Sequence, residues 1–303
     1  MKKLIVLAIV GFLAQLIDGA LGMAYGISST TLLLAFGIAP AVASATIHLS
    51  EVATTAASGI AHFKFGNVDK RMLYRLIIPG SIGAFAGACF LSHLPGEIVR
   101  PYISAFLLLL GFYVVFRFLF KFKNSETKEA RTISVKQSIP LGLIAGFADA
   151  TGGGGWGPIA TPVLLSKKGM TARKVVGTVD TSEFAIAVSA TLGFLISLGW
   201  GKINFLWVGA LVMGGIIAAP IAAWLVRKVP AQLMGILVGG FIILINARTM
   251  LNFWVINESY TAPIYGTILL GWAIAVFAGV RKMKADKINK KERRALISNI
   301  GRN

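Results

Sequence analysis

Long apolar runs separated by short polar stretches dominate this chain. Representative runs cover residues 76–91, 102–120, 205–226 and 264–280, and they are continuous rather than alternating. A helix that crosses a bilayer needs about 20 apolar residues, whereas the strands of a membrane barrel alternate apolar and polar positions. The pattern therefore predicts an all-α polytopic membrane protein.

Two of the apolar segments are interrupted by glycine, and they resemble each other. The stretch GFLAQLIDGALGMAYG (11–26) aligns with GLIAGFADATGGGGWG (142–157) at an offset of 131 residues. Further on, ATIHLSEVA (45–53) aligns with GTVDTSEFA (177–185) at an offset of 132. Two matches at nearly the same offset indicate an internal duplication.

The duplication predicts how the chain is organised. Each half has one broken apolar segment followed by three ordinary spans, and an extra span and a basic tail follow the second half. The predicted units are a first membrane repeat at 4–122, a basic cytoplasmic linker at 123–137, a second membrane repeat at 138–255, an extra transmembrane helix at 260–280 and a basic cytoplasmic tail at 281–303.

The distribution of Lys and Arg predicts whether the broken segments cross the membrane. If each crosses once, the 30 Lys and Arg residues divide 14 to 16 between the two sides. If each enters and returns as a re-entrant hairpin, they divide 25 to 5. Because cytoplasmic loops are enriched in Lys and Arg, the second arrangement is favoured, with the N-terminus outside and the C-terminus in the cytoplasm.

Re-entrant hairpins leave three crossings in each half. An odd number inverts the second half relative to the first, and inverted repeats with broken helices are typical of secondary transporters. The net charge of +18 lies between the apolar runs and in the tail, which indicates anionic lipid headgroups rather than nucleic acid as the partner. The expected location is the cell membrane, here a bacterial inner membrane, and the sequence leaves a homo-oligomer open.

The interrupted tips predict a binding site for an anion. Glycine lets the backbone turn at positive φ, and a new helix that starts inside the membrane presents unpaired N–H groups to a small anionic substrate. Alternatively, small residues only allow close helix packing. The residues predicted to bind substrate are the tip residues Gly22, Tyr25, Gly152, Gly153, Gly154, Gly155 and Trp156, together with Ser50 and Ser182.

Five of the twelve acids lie inside apolar segments, whereas Lys and Arg avoid the span interiors. Charged groups inside a membrane cost several kcal/mol, so they usually face a functional interior. The residues predicted to couple protons or ions, or to line the pathway, are Asp18, His48, Glu51, Asp149, Asp180 and Glu183. Structural alternatives stay open, because the tip aspartates could be helix N-caps and the glutamates could be protonated and hydrogen-bonded.

The backbone tips suit an anion, whereas the acids suit a proton or a cation. A coupled cycle reconciles the two, with a proton neutralising an acid while the anion occupies main-chain amides. His62 lies near the end of a span, where an interfacial role is expected. The single cysteine, Cys89, supplies no metal site, and no nucleophile and base have convincing spacing, so neither a metal, a cofactor nor an enzymatic activity is expected.

The stretch GFADATGGGGWGPIATPVLL (146–165) resembles the TauE/SafE sulfite exporter family, also called the toluenesulfonate uptake permease group. The resemblance covers about residues 5–255 and is carried by Gly152–Gly155 and Pro162. The first copy, GALGMAYGISST (19–30), departs from the motif because it has neither the glycine run nor the proline. The resemblance implies export or uptake of small sulfur-containing anions such as sulfite, sulfoacetate or other organosulfonates. Another small anion, or a cation or metal bound by the intramembrane acids, is the alternative.

Overall fold

The computed structural model describes residues 2–21, 25–121, 133–165, 172–225, 231–254 and 258–300, and almost all of them are helical. The helices are α1 Lys2–Leu21, α2 Tyr25–Ala35, α3 Pro40–Lys64, α4 Lys70–Ser92, α5 Gly96–Phe116, α6 Val135–Gly152, α7 Trp156–Leu165, α8 Ala172–Leu198, α9 Phe205–Leu225, α10 Ala231–Phe253 and α11 Glu258–Ile300. A π-helical turn follows α5, and a short 3₁₀ turn precedes α9.

Five segments of the described chain are long and apolar enough to cross a membrane, which confirms the prediction of an all-α polytopic protein. They are Lys70–Ser92, Gly96–Phe120, Lys174–Leu198, Gly235–Phe253 and Tyr260–Met283. Helix α3 is equally long but richer in polar residues, and most of its Ser and Thr side chains, together with His48 and Glu51, are buried among other helices.

The helix bounds differ from the sequence expectation at the tips and at the C-terminus. The two arms of the first broken segment differ in length, since α1 has 20 residues and α2 has 11. Asp18 therefore lies within the last turn of α1 instead of marking its end. Helix α11 continues for 43 residues through the segment expected to be a separate tail.

The two halves pack reciprocally around a shared centre. Helix α1 of the first half packs on α9 of the second, and α6 of the second half packs on α4 of the first. Glycines lie at both crossings, since a Cβ atom on Gly11 would overlap the Leu211 backbone and one on Gly146 would overlap the Gly80 backbone. Helices α3 and α8 begin 132 residues apart, the offset of the sequence match, and they contact each other at the centre.

One end of the bundle, the amino-terminal face, contains both the beginning of the first broken segment and its end. Lys3 at the start of α1 lines the same cavity as Phe36 and Ile38, which follow α2, and Trp207 at the start of α9. Arg100, near the start of α5, donates to the carbonyl of Leu34 at 2.6 Å. Helices α1 and α2 therefore form a hairpin that returns to the face where it began.

The opposite end, the basic face, contains the corresponding parts of the second broken segment. The side chain of Arg75 in α4 donates to the carbonyl of Ile133, just before α6. The Nζ atom of Lys174, near the start of α8, lies 3.0 Å from the carbonyl of Val68. The segment from α6 to the start of α8 thus begins and ends beside the α3–α4 turn, which is a hairpin geometry.

The bundle has apolar side chains on its outer surface and polar side chains in its interior. Ile78, Leu109, Ile196 and Phe277 are each more than half exposed, as expected for side chains that face lipid. Arg117 is buried where α5 ends and has its guanidinium 5.7 Å from the Phe118 ring centroid. Its position at the basic face keeps the charge close to the membrane surface.

Cysteine labelling in intact cells and in inside-out vesicles distinguishes hairpins from crossing segments. In a Cys89→Ala background, we expect Lys3→Cys and Phe36→Cys to react with an impermeant maleimide from one side of the membrane, and Lys64→Cys from the other. All three residues are exposed at the ends of helices. Labelling of Lys3→Cys and Phe36→Cys from opposite sides would show that the first broken segment crosses.

Candidate functional site

The second hairpin tip is closed by one carboxylate. Helix α6 ends at Gly152, Gly153 adopts the left-handed conformation with φ 65°, and α7 begins at Trp156. The Asp149 Oδ1 atom accepts the N–H groups of Gly155 at 2.7 Å and Trp156 at 2.9 Å. The N-cap interpretation of this aspartate therefore describes the observed contacts, and its carboxyl group lies at the positive end of the α7 dipole.

The first tip repeats this arrangement more loosely. The Asp18 Oδ1 atom lies 3.4 Å from the N–H of Tyr25, the first residue of α2. The sequence separation of seven residues is the same as that between Asp149 and Trp156. Gly22, which the sequence placed in the substrate site, lies outside the described residues.

The two tips touch each other through their backbones. A Cβ atom on Gly26 would lie 2.7 Å from the Cα of Gly154, and Thr30 Oγ1 donates to the carbonyl of Gly153 at 2.5 Å. Gly154 itself has φ 153°, a conformation that residues with a side chain rarely adopt. Two members of the glycine run are thus required by the turn and by the contact with the other hairpin.

The remaining two glycines of the run have other neighbours. Gly152 faces the Phe106 ring of α5, and Gly155 lies against the backbone of Asp149. Their predicted part in holding an anion stays a prediction.

His48 joins α3 to the second tip. Its Nε2 atom lies 3.1 Å from Asp149 Oδ2 and 4.0 Å from Glu51 Oε2, and all three side chains are buried. Its Nδ1 atom lies 2.8 Å from the carbonyl of Ser44, and a carbonyl can only accept. The bond between Nε2 and Asp149 then requires one further proton, carried either by the imidazole or by the carboxyl group.

Helix α8 presents the corresponding residues to the first tip. Oxygen atoms of Asp18, Asp180 and Glu183 all lie within 4.8 Å of one another, and the three side chains are buried. Ser58 of α3 donates to Asp180 Oδ2 at 2.8 Å, and His62 Nε2 lies 3.6 Å from the same oxygen. Because like charges so close together in a low dielectric repel strongly, this group cannot hold three negative charges without protons or a cation.

The aromatic residues at the tips and the two serines also converge. The indole Nε1 of Trp156 donates to Ser182 Oγ at 3.0 Å, and the ring packs on Gly80 of α4. Tyr25 is buried in the equivalent position, and Ser50 is the side chain that interacts with its hydroxyl. Ser50 donates to the carbonyl of Thr46 at 2.8 Å.

The structure therefore brings together the described residues predicted for the site, on α1, α2, α3, α6, α7 and α8 and in the turn between α6 and α7. Sequence reasoning missed Thr30, Ser44 and Ser58, which fix the tips and the ionisable side chains. Ser44 could have been found from its spacing, because it lies one helical turn before His48 on the same face. His62 was expected at the interface, yet at 24% exposure it also reaches the buried Asp180.

This architecture defines a class of protein: a multi-pass helical membrane protein in which two hairpins meet at a buried, ionisable centre, as in secondary transporters. A model of the family described as "Sulfite exporter TauE/SafE" matches residues 7–249. The chain belongs to this TauE/SafE family and is a membrane transporter, not an enzyme.

Curated relatives agree with this assignment. The chain is 67% identical over 290 residues, which cover 96% of it and 97% of the relative, to "Probable membrane transporter protein YtnM" of Bacillus subtilis (strain 168). It is 26% identical to "Probable membrane transporter protein YdhB" of the same organism, over 76% of this chain and 91% of the relative. It is also 27% identical to "Probable membrane transporter protein y4hK" of Sinorhizobium fredii, over 72% and 90% of the two chains. No solved structure matches the chain.

The contact between the tips predicts a large effect of a small substitution. We expect Gly154→Ala to destabilise the folded protein by about 1–3 kcal/mol from backbone strain alone, with a further loss from overlap with Gly26. Thermal unfolding in detergent measures this effect as a lower melting temperature. Gly209→Ala in α9 is the matched control, because a Cβ atom there would have no neighbour within 4 Å. Equal melting temperatures for the two variants would contradict the assigned contact.

Proposed function

We propose that this transporter moves a small sulfur-containing anion, such as sulfite, sulfoacetate or another organosulfonate, by alternating access between its two halves. The main observation behind the proposal is that two hairpin tips meet at the buried centre, where each tip is followed by the N-terminus of a new helix. The family to which the chain belongs is described as a sulfite exporter. Helix N-termini bind anions through unpaired N–H groups and the helix dipole. An oxyanion has several acceptor oxygens that match such donors.

The contacts of Asp149 support this proposal, because its carboxylate occupies the position at the helix N-terminus that we propose for the substrate. Its carboxylate already occupies the N–H groups of Gly155 and Trp156, which are the donors an oxyanion would use. The other carboxylate oxygen lies 3.1 Å from His48 Nε2. Substrate binding would displace Oδ1 from the two amides while the bond to His48 holds the displaced side chain.

The charge of the centre supports coupling to protons. Five buried acids and His48 surround the tips, and Arg117 at the basic face is the one buried Lys or Arg in the described chain. An anion that entered among ionised carboxylates would be repelled strongly in this low-dielectric interior. Proton uptake by the acids removes that repulsion, so we propose that protons and the anion move in one cycle.

Each predicted site residue then has a proposed part in the cycle. His48, Glu51, Asp180 and Glu183 carry protons or line the path, and the carboxylates of Asp18 and Asp149 alternate between capping a helix and releasing it. The remaining predicted residues shape and line the substrate pocket; they are Gly22, Tyr25, Ser50, Gly152–Gly155, Trp156 and Ser182.

The membrane environment follows from the same charge distribution. We propose that the basic face is cytoplasmic and contacts anionic lipid headgroups, with the N-terminus outside and the C-terminus in the cytoplasm of a bacterial inner membrane. The excess of Lys and Arg on that face supports this orientation.

A binding experiment tests the substrate class. Purified protein is heated with sulfite, sulfoacetate, taurine, sulfate or thiosulfate, and separately with Na⁺ or divalent cations at matched ionic strength. A ligand present at about 100 times its Kd stabilises the folded state by about 2.7 kcal/mol, so we expect a higher melting temperature with at least one sulfur anion. Stabilisation by a cation alone would overturn the proposal in favour of cation transport.

Transport with altered acids tests proton coupling. In proteoliposomes loaded with the stabilising anion, we expect Glu51→Gln and Glu183→Gln to lower pH-driven net uptake by about tenfold or more and to retain exchange of labelled for unlabelled anion. The reason is that exchange needs no net proton movement, whereas uphill uptake does. Glu97→Gln, at an exposed position near the start of α5, is the control. Unchanged pH dependence in both glutamate variants would remove the proton role.

A further inference from the structure

His62 and Phe194 occupy equivalent positions in the two halves. The sequence match of α3 and α8 has an offset of 132, and the two helices begin that far apart. The same offset relates His62 to Phe194 and His48 to Asp180. The contact between His62 and Asp180 on the side of the basic face therefore corresponds to the contact between Phe194 and His48 on the side of the amino-terminal face.

The two equivalent contacts differ in chemistry. His62 is partly exposed, and its Nε2 atom lies 3.6 Å from the buried Asp180 Oδ2. Phe194 is fully buried, and its ring centroid lies 6.0 Å from that of His48. One half thus has an ionisable group between solvent and the buried acids, and the other half has a hydrocarbon ring.

We propose that His62 is the proton entry of this protein on the basic face, delivering protons to Asp180, and that Phe194 seals the equivalent route from the amino-terminal face. This inference rests on the proposed proton coupling and extends it by assigning the side from which protons reach the centre.

The hydrogen-bond pattern of His62 suits a relay. Asn67 Nδ2 lies 3.2 Å from His62 Nδ1, and an amide nitrogen only donates, so Nδ1 is the acceptor and Nε2 carries the ring hydrogen of the neutral form. Proton uptake at Nδ1 and transfer of the Nε2 proton to Asp180 Oδ2 leave a neutral imidazole and a neutral carboxylic acid. Gly177 makes room for the ring, since a Cβ atom there would lie 2.9 Å from Nδ1.

From Asp180 the route continues inward. Asp18 and Glu183 have oxygen atoms within 4.8 Å of it, and Glu183 lies within electrostatic range of Glu51 and Asp149 on the other side of the centre. Those two carboxylates contact His48, and the ring of Phe194 lies beside it. A relay that begins at His62 therefore ends at a buried aromatic ring.

Several described charged groups on the elements around His62 contact other residues or are exposed. On α8, Lys174 donates to the Val68 carbonyl, and Asp69, at the start of α4, accepts the N–H of Met72. Lys64 and Lys70, which flank the α3–α4 turn, are exposed. Helices α2 and α9, which also pack on α3, contain no charged residue.

Proton leak in the absence of any sulfur anion tests the proposal. Proteoliposomes are loaded with K⁺ and a pH-sensitive dye, and valinomycin is added to create a K⁺ diffusion potential that drives protons inward. The dye then reports the rate of internal acidification. Phe194→His should open the sealed side and raise the leak about tenfold or more over Phe194→Leu, the apolar control. Adding His62→Phe to Phe194→His should return the leak to the control level. No added leak in Phe194→His, or a leak that persists in the double variant, overturns the proposal.

A second measurement applies even if Phe194→His does not fold. Stopped-flow mixing of the detergent-solubilised protein into mild acid, with a pH-indicator dye, follows the rate at which the buried carboxyl groups take up protons. We expect His62→Phe to slow this uptake by about fivefold or more, and His93→Phe at the amino-terminal face to leave it unchanged. Equal uptake rates in both variants overturn the proposal. Neither assay contains a sulfur anion, so a failed substrate prediction is distinguishable from a failure here.

Discussion

A helix that stops inside a membrane leaves N–H and C=O groups that no water can satisfy, and the rest of this structure depends on how that problem is solved. At the second tip one carboxylate, that of Asp149, accepts two N–H groups of the next helix, and the carbonyl of the same residue accepts the N–H of Gly154. The carbonyl of Gly153, which follows the last residue of α6, accepts a hydrogen bond from Thr30 of the other hairpin. Irregular backbone at this depth is tolerated because protein groups replace the missing solvent.

This solution ties the two halves together. Each hairpin tip carries an aspartate, and in each case the central helix of the opposite half reaches it: His48 of α3 contacts Asp149, and Asp180 of α8 approaches Asp18. A change of charge at one aspartate therefore affects both the helix cap and the contact between halves. This is the kind of linkage that a coupled carrier needs, because binding and conformation respond to the same group.

The reciprocal packing also explains the many glycines. Those at the α1–α9 and α4–α6 crossings allow backbones to approach closely, as small residues commonly do in membranes. Gly153 and Gly154 differ from these because their backbone conformation itself requires glycine. The same residue type thus serves ordinary helix packing in one place and the geometry of the tip in another.

The sequence by itself determined the helical membrane class, the pairing of the two broken segments and the set of buried ionisable residues. These properties depend on local composition and spacing, and the charge distribution added the prediction of hairpins. Only the tertiary structure decided which groups meet. The decisive contacts join residues between 7 and 123 positions apart along the chain. Asp149 both caps α7 and contacts His48, Thr30 donates to the carbonyl of Gly153, and His62 reaches Asp180. The relative placement of packed helices sets such contacts, and no local pattern in one sequence encodes it.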